Sequence, residues 1–192
     1  MIELLCPDQC VRSVLDIDLP ALRARGIIGL IVDLDNTLVA WEAQFVSDAM
    51  RRWVEQAQEF GFRLCIASNG RRQRVAALAA RLSIPAVEKA TKPRKRPFKR
   101  ALALLGTSPQ QTAVIGDQIF TDILGGNRMG LYTVLINPMS PTELYTTRLV
   151  RRVERRVLAR LSRKGYLPHD ALKTRWKGPP SDGEGARGRL LL

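Results

Sequence analysis

Histidine is almost missing from this chain of 192 residues: there is one, His169, near the C-terminal end. Cysteine is nearly as scarce, with Cys6, Cys10 and Cys65. An odd number of thiols makes no disulfide framework. Cys65 lies in the apolar run "RLCIAS" and reads as a small core residue. Cys6 and Cys10 have no companion ligands at the usual metal spacings. No apolar run approaches the roughly 20 residues that span a bilayer. The opening "MIELLCPDQC" lacks the basic stretch and apolar core of a signal peptide, so a cytoplasmic, reducing compartment is expected. Aromatics are only 6%, and few accompany the basic segments, which argues against a stacking platform for single-stranded nucleic acid. Negative charge is also short, with 31 Lys and Arg against 18 Asp and Glu, a net +13. That balance favours an anionic partner: nucleic acid, acidic lipid or a phosphorylated substrate.

What is present reads as a soluble globular chain, 45% apolar and 26% charged, of a length that suits one domain. "VRSVLDIDLPALRARG" suggests one short helix ended by Gly26. The strand "IIGLIVDLD" follows, then "VSDAMRRWVEQAQEFG", with Val46, Met50, Trp53, Val54 and Ala57 at helical spacing and Gly61 as a stop. "FRLCIASN" is a second buried strand, "RRQRVAALAARL" a helix and "IPAVEKA" a short strand. After the basic segment "TKPRKRPFKR", Pro97 can open the helix "FKRALALLG". "TAVIGDQ", the short helix or turn "TDILGGNRMG" and "LYTVLIN" complete the alternation. Strands alternating with helices predict an α/β fold, a parallel sheet with helices on both faces.

In such sheets ligands gather at the carboxyl ends of the strands. Three strands end there in polar clusters: "IVDLDNT", "CIASNG" and "VIGDQIFTD". Asp33, Asp35, Asp117 and Asp122 would converge on one rim, an arrangement that calls for a cation. Oxygen ligands with no nearby His or Cys point to Mg²⁺. Ser68 and Asn69 offer donors for phosphoryl oxygens. Lys92 is the candidate charge for the same group, with Lys95 as its rival. Taken singly, an Asp-x-Asp pair is as readily a helix cap or turn; the order of all the pieces at successive strand ends carries the reading.

"DLDNT", "IASN", Lys92 before Pro93 and "GDQIFTD" resemble, in order, the four motifs of the haloacid dehalogenase superfamily, across roughly residues 25 to 136. "GLIVDLDNTLVAW", "GDQIFTDILGGNRMGLYTVLI" and the following basic helix are similar to the YqeG-type class IIIA phosphatases, over residues 1 to about 165. That group is related to the phosphatidylglycerophosphate phosphatases of mitochondria and plastids. The resemblance implies a three-layer Rossmann-like fold and a Mg²⁺-dependent phosphomonoester hydrolase. It implies Asp33 as the nucleophile, Asp35 as general acid and base, and Thr37 orienting the loop. Ser68 and Lys92 would bind the phosphoryl oxygens. Mg²⁺ would lie on Asp33, the Asp35 main-chain carbonyl and Asp117, with Asp122 in support.

Between Asp35 and Ser68, and between Ser68 and Lys92, there is room for a helix and little else, so no cap domain is expected. An open site suits a substrate presented on something large: a lipid headgroup at the inner face of a membrane, a nucleic-acid end or a protein. The segment from about 142 to 164 is expected as an amphipathic helix. Leu149, Val150, Val153, Val157, Leu158 and Leu161 form one half; Arg148, Arg151, Arg152, Arg155, Arg156 and Arg163 form the other, with Glu154 an exception among the apolar positions. The helix is expected to pack on the sheet with its basic half either simply solvated or, with Arg94, Lys95, Arg96, Lys99 and Arg100, meeting anionic lipid. Residues 1–166 are read as one domain and 167–192, rich in Gly and Pro, as a disordered tail. A phosphatase of soluble nucleotide or sugar phosphates is the rival enzyme, and a basic RNA- or ribosome-binding protein with a vestigial site the rival of another class.

Overall fold

The computed structural model describes residues 2–41, 43–140 and 145–166. Among the described residues, six strands form one sheet: β1 (Gln9–Cys10), β2 (Gly29–Val32), β3 (Arg63–Ala67), β4 (Ala86–Val87), β5 (Thr112–Gly116) and β6 (Tyr132–Leu135). Their order is β1-β6-β5-β2-β3-β4 and every pairing is parallel. Central strands β2 and β5 are buried along their whole length. They read as continuous apolar runs because helices cover both faces.

On one face Leu30, Val32, Leu64 and Ile66 pack against α1 (Leu19–Ala24), α2 (Asp48–Glu59) and α3 (Arg72–Arg81). On the other, Ile31, Cys65 and Val114 meet Phe98, Ala101, Leu102 and Leu105 of α4 (Lys95–Leu105). Helix α2 buries Met50, Trp53, Val54 and Ala57, the spacing expected from sequence. Burial of Met50 and Val54 contributes about 1.5–3 kcal/mol each. The Ser47 hydroxyl caps α2 by accepting from the Met50 amide, and Gly61, at φ 78°, ends it.

Three local expectations change. The N-terminal helix is divided: a 3₁₀ turn, Val14–Asp16, precedes α1, because Asp18 turns its side chain to cap the Ala21 amide at 2.9 Å. The helix α4 begins at Lys95, so Pro97 lies inside its first turn rather than opening it. The edge strand β1 escapes sequence reading, being two residues long and half-buried beside β6.

The segment after β5 is a π-helical turn, Ile119–Ile123, running into α5 (Leu124–Asn127). The basic helix α6 spans Tyr145–Arg163. Leu158 and Leu161 are buried against Ile119, Ile123 and Leu135, whereas Val150 and Val153 are exposed at 38% and 41%. The packed stripe is therefore rotated from the expected one and includes Glu154, which is fully buried. The expected helix residues 142–144, the side chains of Arg148, Leu149 and Arg151, and the expected tail with His169 lie outside the described residues.

The chain lays down β2, β3 and β4 in one direction, then crosses back to place β5 and β6 on the other side of β2. The order reverses between β2 and β5. Carboxyl ends of strands at such a reversal form a crevice suited to ligands.

Candidate active site

Asp33 leaves β2 and Asp117 leaves β5 at neighbouring positions across this crevice, the Asp33 amide donating to the Ile115 carbonyl at 2.9 Å. Asp122 returns to the same point from the π-helical turn. Gly116 makes this possible: a Cβ there would stand 2.3 Å from Asp122 Cγ. The Asp122 Oδ2 also accepts from the Gln118 amide at 3.2 Å and from the Thr121 hydroxyl at 3.3 Å. The turn itself is latched from behind, where Glu154 Oε1 of α6 accepts from the Ile119 amide at 2.6 Å.

Lys92 reaches the centre of the group. Its Nζ donates to Asp33 Oδ1 and to Asp122 Oδ1, both at 2.6 Å. Lys95 and Lys99 stand exposed on α4, which separates Lys92 from its rival. The loop that carries Lys92 is tied to the end of β3: the Ala90 amide donates to the Ser68 carbonyl at 2.9 Å, and the Lys92 amide to Asn69 Oδ1 at 2.9 Å. Asn69 Nδ2 donates back to the Lys92 carbonyl at 3.4 Å. Both ends of the Asn69 amide thus serve the Lys92 main chain, and Asn69 acts on the site by holding that loop.

Burial, against the pull of Lys92 and with a further push from Asp122 and Asp117, raises the Asp33 carboxyl to about 8. Burial lowers the pKa of the Lys92 ammonium, but Asp122 and Asp33 outweigh it and hold it above the ordinary lysine value. One lysine is not enough for three carboxylates.

Asp33, Asp117 and Asp122, all buried, offer oxygens within 4.8 Å of one another. Hard oxygen donors, a surplus of negative charge and, among the described residues, no imidazole or thiolate beside them make a donor set that fits a divalent cation such as Mg²⁺. Asp35 takes no part through its side chain. Its Oδ1 is paired with Arg74 Nη1, from the first turn of α3, and its Oδ2 accepts from Ser68 Oγ at 3.4 Å. Only the Asp35 main-chain carbonyl is left for the ligand role expected of this residue. The Ser68 hydroxyl accepts from the Gly70 amide at 3.0 Å, which fixes the turn into α3.

Asn36 turns the loop beyond Asp35 at φ 61°. Its Oδ1 accepts from the Trp41 amide at 3.2 Å, and Thr37 is buried beneath. Sequence reading missed Arg74, one arginine among several in "RRQR". Its phase is the available signal: it stands one turn before the buried Leu78, at the flank of the packed face.

The arrangement therefore gathers carboxylates suited to a divalent cation beside a buried lysine, and sets Asp33 and Asp35 in unlike surroundings. The protein is 39% identical over 161 residues to the probable phosphatase YqeG of Bacillus subtilis strain 168, covering 84% of this chain and 94% of that one. It is 30% identical over 178 residues to the chloroplastic and mitochondrial phosphatidylglycerophosphate phosphatase 1 of Arabidopsis thaliana. That match covers 88% of this chain but only 51% of the Arabidopsis protein. The crystal structure of an uncharacterized protein from Listeria monocytogenes serotype 4b superposes with a TM-score of 0.50 at 19% identity, over 62% of this chain and 83% of that one, a likeness of fold alone. The family model of the haloacid dehalogenase-like hydrolases matches residues 15–130, which span the crevice from the approach to β2 through the π-helical turn, and the chain belongs to that family.

Proposed function

We propose that this hydrolase removes the terminal phosphate of phosphatidylglycerophosphate at the inner face of a membrane, through an aspartyl-phosphate on Asp33. That it is a phosphatase follows from its family and from its likeness to a phosphatase over most of both chains. The observation that carries the chemistry is Lys92 bonded at once to Asp33 and Asp122 beside Asp117, a charged group assembled at the strand ends.

In this reading an Asp33 carboxylate oxygen attacks phosphorus as the bond to the leaving oxygen breaks. Asp35 gives a proton to that oxygen, then takes one from the water that cleaves the aspartyl-phosphate. Lys92 and Ser68 hold the phosphoryl oxygens in line, with Lys92 itself fixed by Asn69. Mg²⁺, held by Asp33, Asp117 and Asp122 and by the Asp35 carbonyl, would supply Lewis-acid polarisation of the phosphoryl group.

Three features support a lipid-borne substrate. A relative with 30% identity is a phosphatidylglycerophosphate phosphatase. Only α2 lies between β2 and β3 and only α3 between β3 and β4, so no inserted domain covers the rim among the described residues. Beside the Lys92 loop opens a cleft of ≈ 680 Å³ whose lining includes Arg72, Lys89, Arg94, Arg96 and Arg100 against one acid, Glu88. Exposed cations around such a cleft attract an anionic surface, each contributing about 1 kcal/mol. No described helix is long and apolar enough to cross a membrane, so the contact proposed is peripheral.

The test is Mg²⁺-dependent phosphate release from phosphatidylglycerophosphate in vesicles, beside a panel of nucleotide and sugar phosphates, with Asp33→Asn as control. Release from the lipid alone, lost in the variant, is expected. Release from soluble esters alone would retain the mechanism and remove the membrane, and silence on every substrate would remove both.

A further inference from the structure

We infer that Arg74 is the positioning residue of Asp35: it occupies one carboxylate oxygen and leaves the other, Oδ2, presented for proton transfer. This rests on the acid–base role proposed above for Asp35.

Arg74 holds the catalytic segment at two points. Nη1 pairs with Asp35 Oδ1, and Nη2 donates to the Ala43 carbonyl at 2.9 Å. The two anchors lie on either side of the turn made by Asn36. Two helical turns further along the same face of α3, Arg81 donates to the Gln44 carbonyl at 2.9 Å and stacks 4.8 Å over the Phe45 ring. The loop after Asp35 is thereby pinned along α3, a helix itself fixed by the buried Val75, Leu78 and Ala79.

The opposite side of the carboxylate is equally confined. Asp35 Oδ2 stands 3.4 Å from Ser68 Oγ, and a Cβ on Gly70 would come within 2.8 Å of it. With Oδ1 taken by the Arg74 guanidinium, Oδ2 is the working oxygen, on the side of the proposed phosphoryl-binding hydroxyl. In the first step the proton on Oδ2 passes to the leaving alkoxide as the Asp33–phosphorus bond forms. In the second, Oδ2 takes the proton of water as the same bond breaks and inorganic phosphate departs. The bidentate reach of Arg74, to a side chain and a main-chain carbonyl, is a geometry a lysine does not reproduce.

A displaced general acid affects a poor leaving group and spares a good one. The test compares an alkyl ester, glycerol phosphate, with dinitrophenyl phosphate, whose leaving group departs unprotonated, using the full chain with Mg²⁺. Single-turnover release isolates the first step. Arg74→Ala is expected to slow alkyl cleavage about 10²-fold with KM within about two-fold, while the dinitrophenolate burst keeps its rate. Arg74→Lys, which retains the charge and guards against a folding defect, should recover only part of the loss.

Asp35→Asn, run in parallel, should show the same dependence on leaving group. Equal losses on both esters, or a loss confined to KM, would overturn the inference. A leaving-group effect in Asp35→Asn without one in the Arg74 variants would sink the Arg74 role alone. Its absence from Asp35→Asn would sink the acid–base reading, and the inference with it.

Discussion

At the rim, Lys92 is buried and bonded to two carboxylates; a few residues further along the chain, Arg94, Arg96 and Arg100 stand in solvent around an open cleft. The same kind of charge does different work in the two places. Inside, where the dielectric is low, each ion needs a partner at hydrogen-bond distance, and displacement of any one unbalances the rest. Outside, screening makes each cation weak and interchangeable, and the effect lies in their number. The lesson is that position, not the overall +13, separates a candidate catalytic lysine from its neighbours.

The sharpest way to break this contrast is to remove the buried charge. Lys92→Ala should lower kcat by about 10²–10³ on every substrate, the magnitude typical of losing one preorganised electrostatic contact. The loss should be insensitive to added salt, and steady-state assays between low and high ionic strength would detect the reverse. Gly116→Ala should come next. Its methyl group, 2.3 Å from Asp122 Cγ, forces that carboxylate off the strand end. Overpacking of this kind costs about 1–3 kcal/mol of stability, read by denaturant unfolding, and activity should fall with it.

The cleft should respond differently. Replacing Arg96 and Arg100 together by alanine should weaken turnover on anionic vesicles by roughly 30-fold, from about 1 kcal/mol each, and leave a soluble ester untouched. Salt should erase the difference between this variant and the parent; a deficit that persisted on soluble ester would place the arginines in the chemistry. The smallest effect concerns Cys65, whose thiol burial pushes up to about 12. Alkylation of the native protein, followed by peptide mass analysis, should mark Cys6 or Cys10 first and leave Cys65 unmodified until unfolding.

The central sheet was legible because β2, β3 and β5 are apolar on both faces, a pattern that does not depend on remote contacts. The strand ends were legible for a related reason: aspartates that close a core strand are costly without a partner. Strand β1 was not legible, since two residues carry no periodicity and pair only because β6 is there to receive them. Asn69 looked like a ligand from its place after Ser68, yet its amide is turned to the main chain of Lys92, a choice set by a loop 23 residues away. Arg74 was hidden among equals: its phase, one turn before Leu78, is a weak signal beside several arginines, and the pairing with Asp35 is set by a remote loop. Glu154 was visible as an anomaly without a reason.

The Glu154 contact gives that anomaly its meaning and bears on where the enzyme ends. The residues of the candidate site end at Asp122, and a shortened chain could be drawn to finish soon after β6. Such a truncation would leave the Ile119 amide, at the first residue of the turn that delivers Asp122, without its 2.6 Å acceptor in a dry interior. An orphaned buried donor costs about 1–3 kcal/mol, here at the start of the turn that carries Asp122. The basic helix is thus a keystone as well as a surface: the side that faces solvent can be recoded residue by residue, while the side that faces the turn sets the length of chain below which the site loses its support.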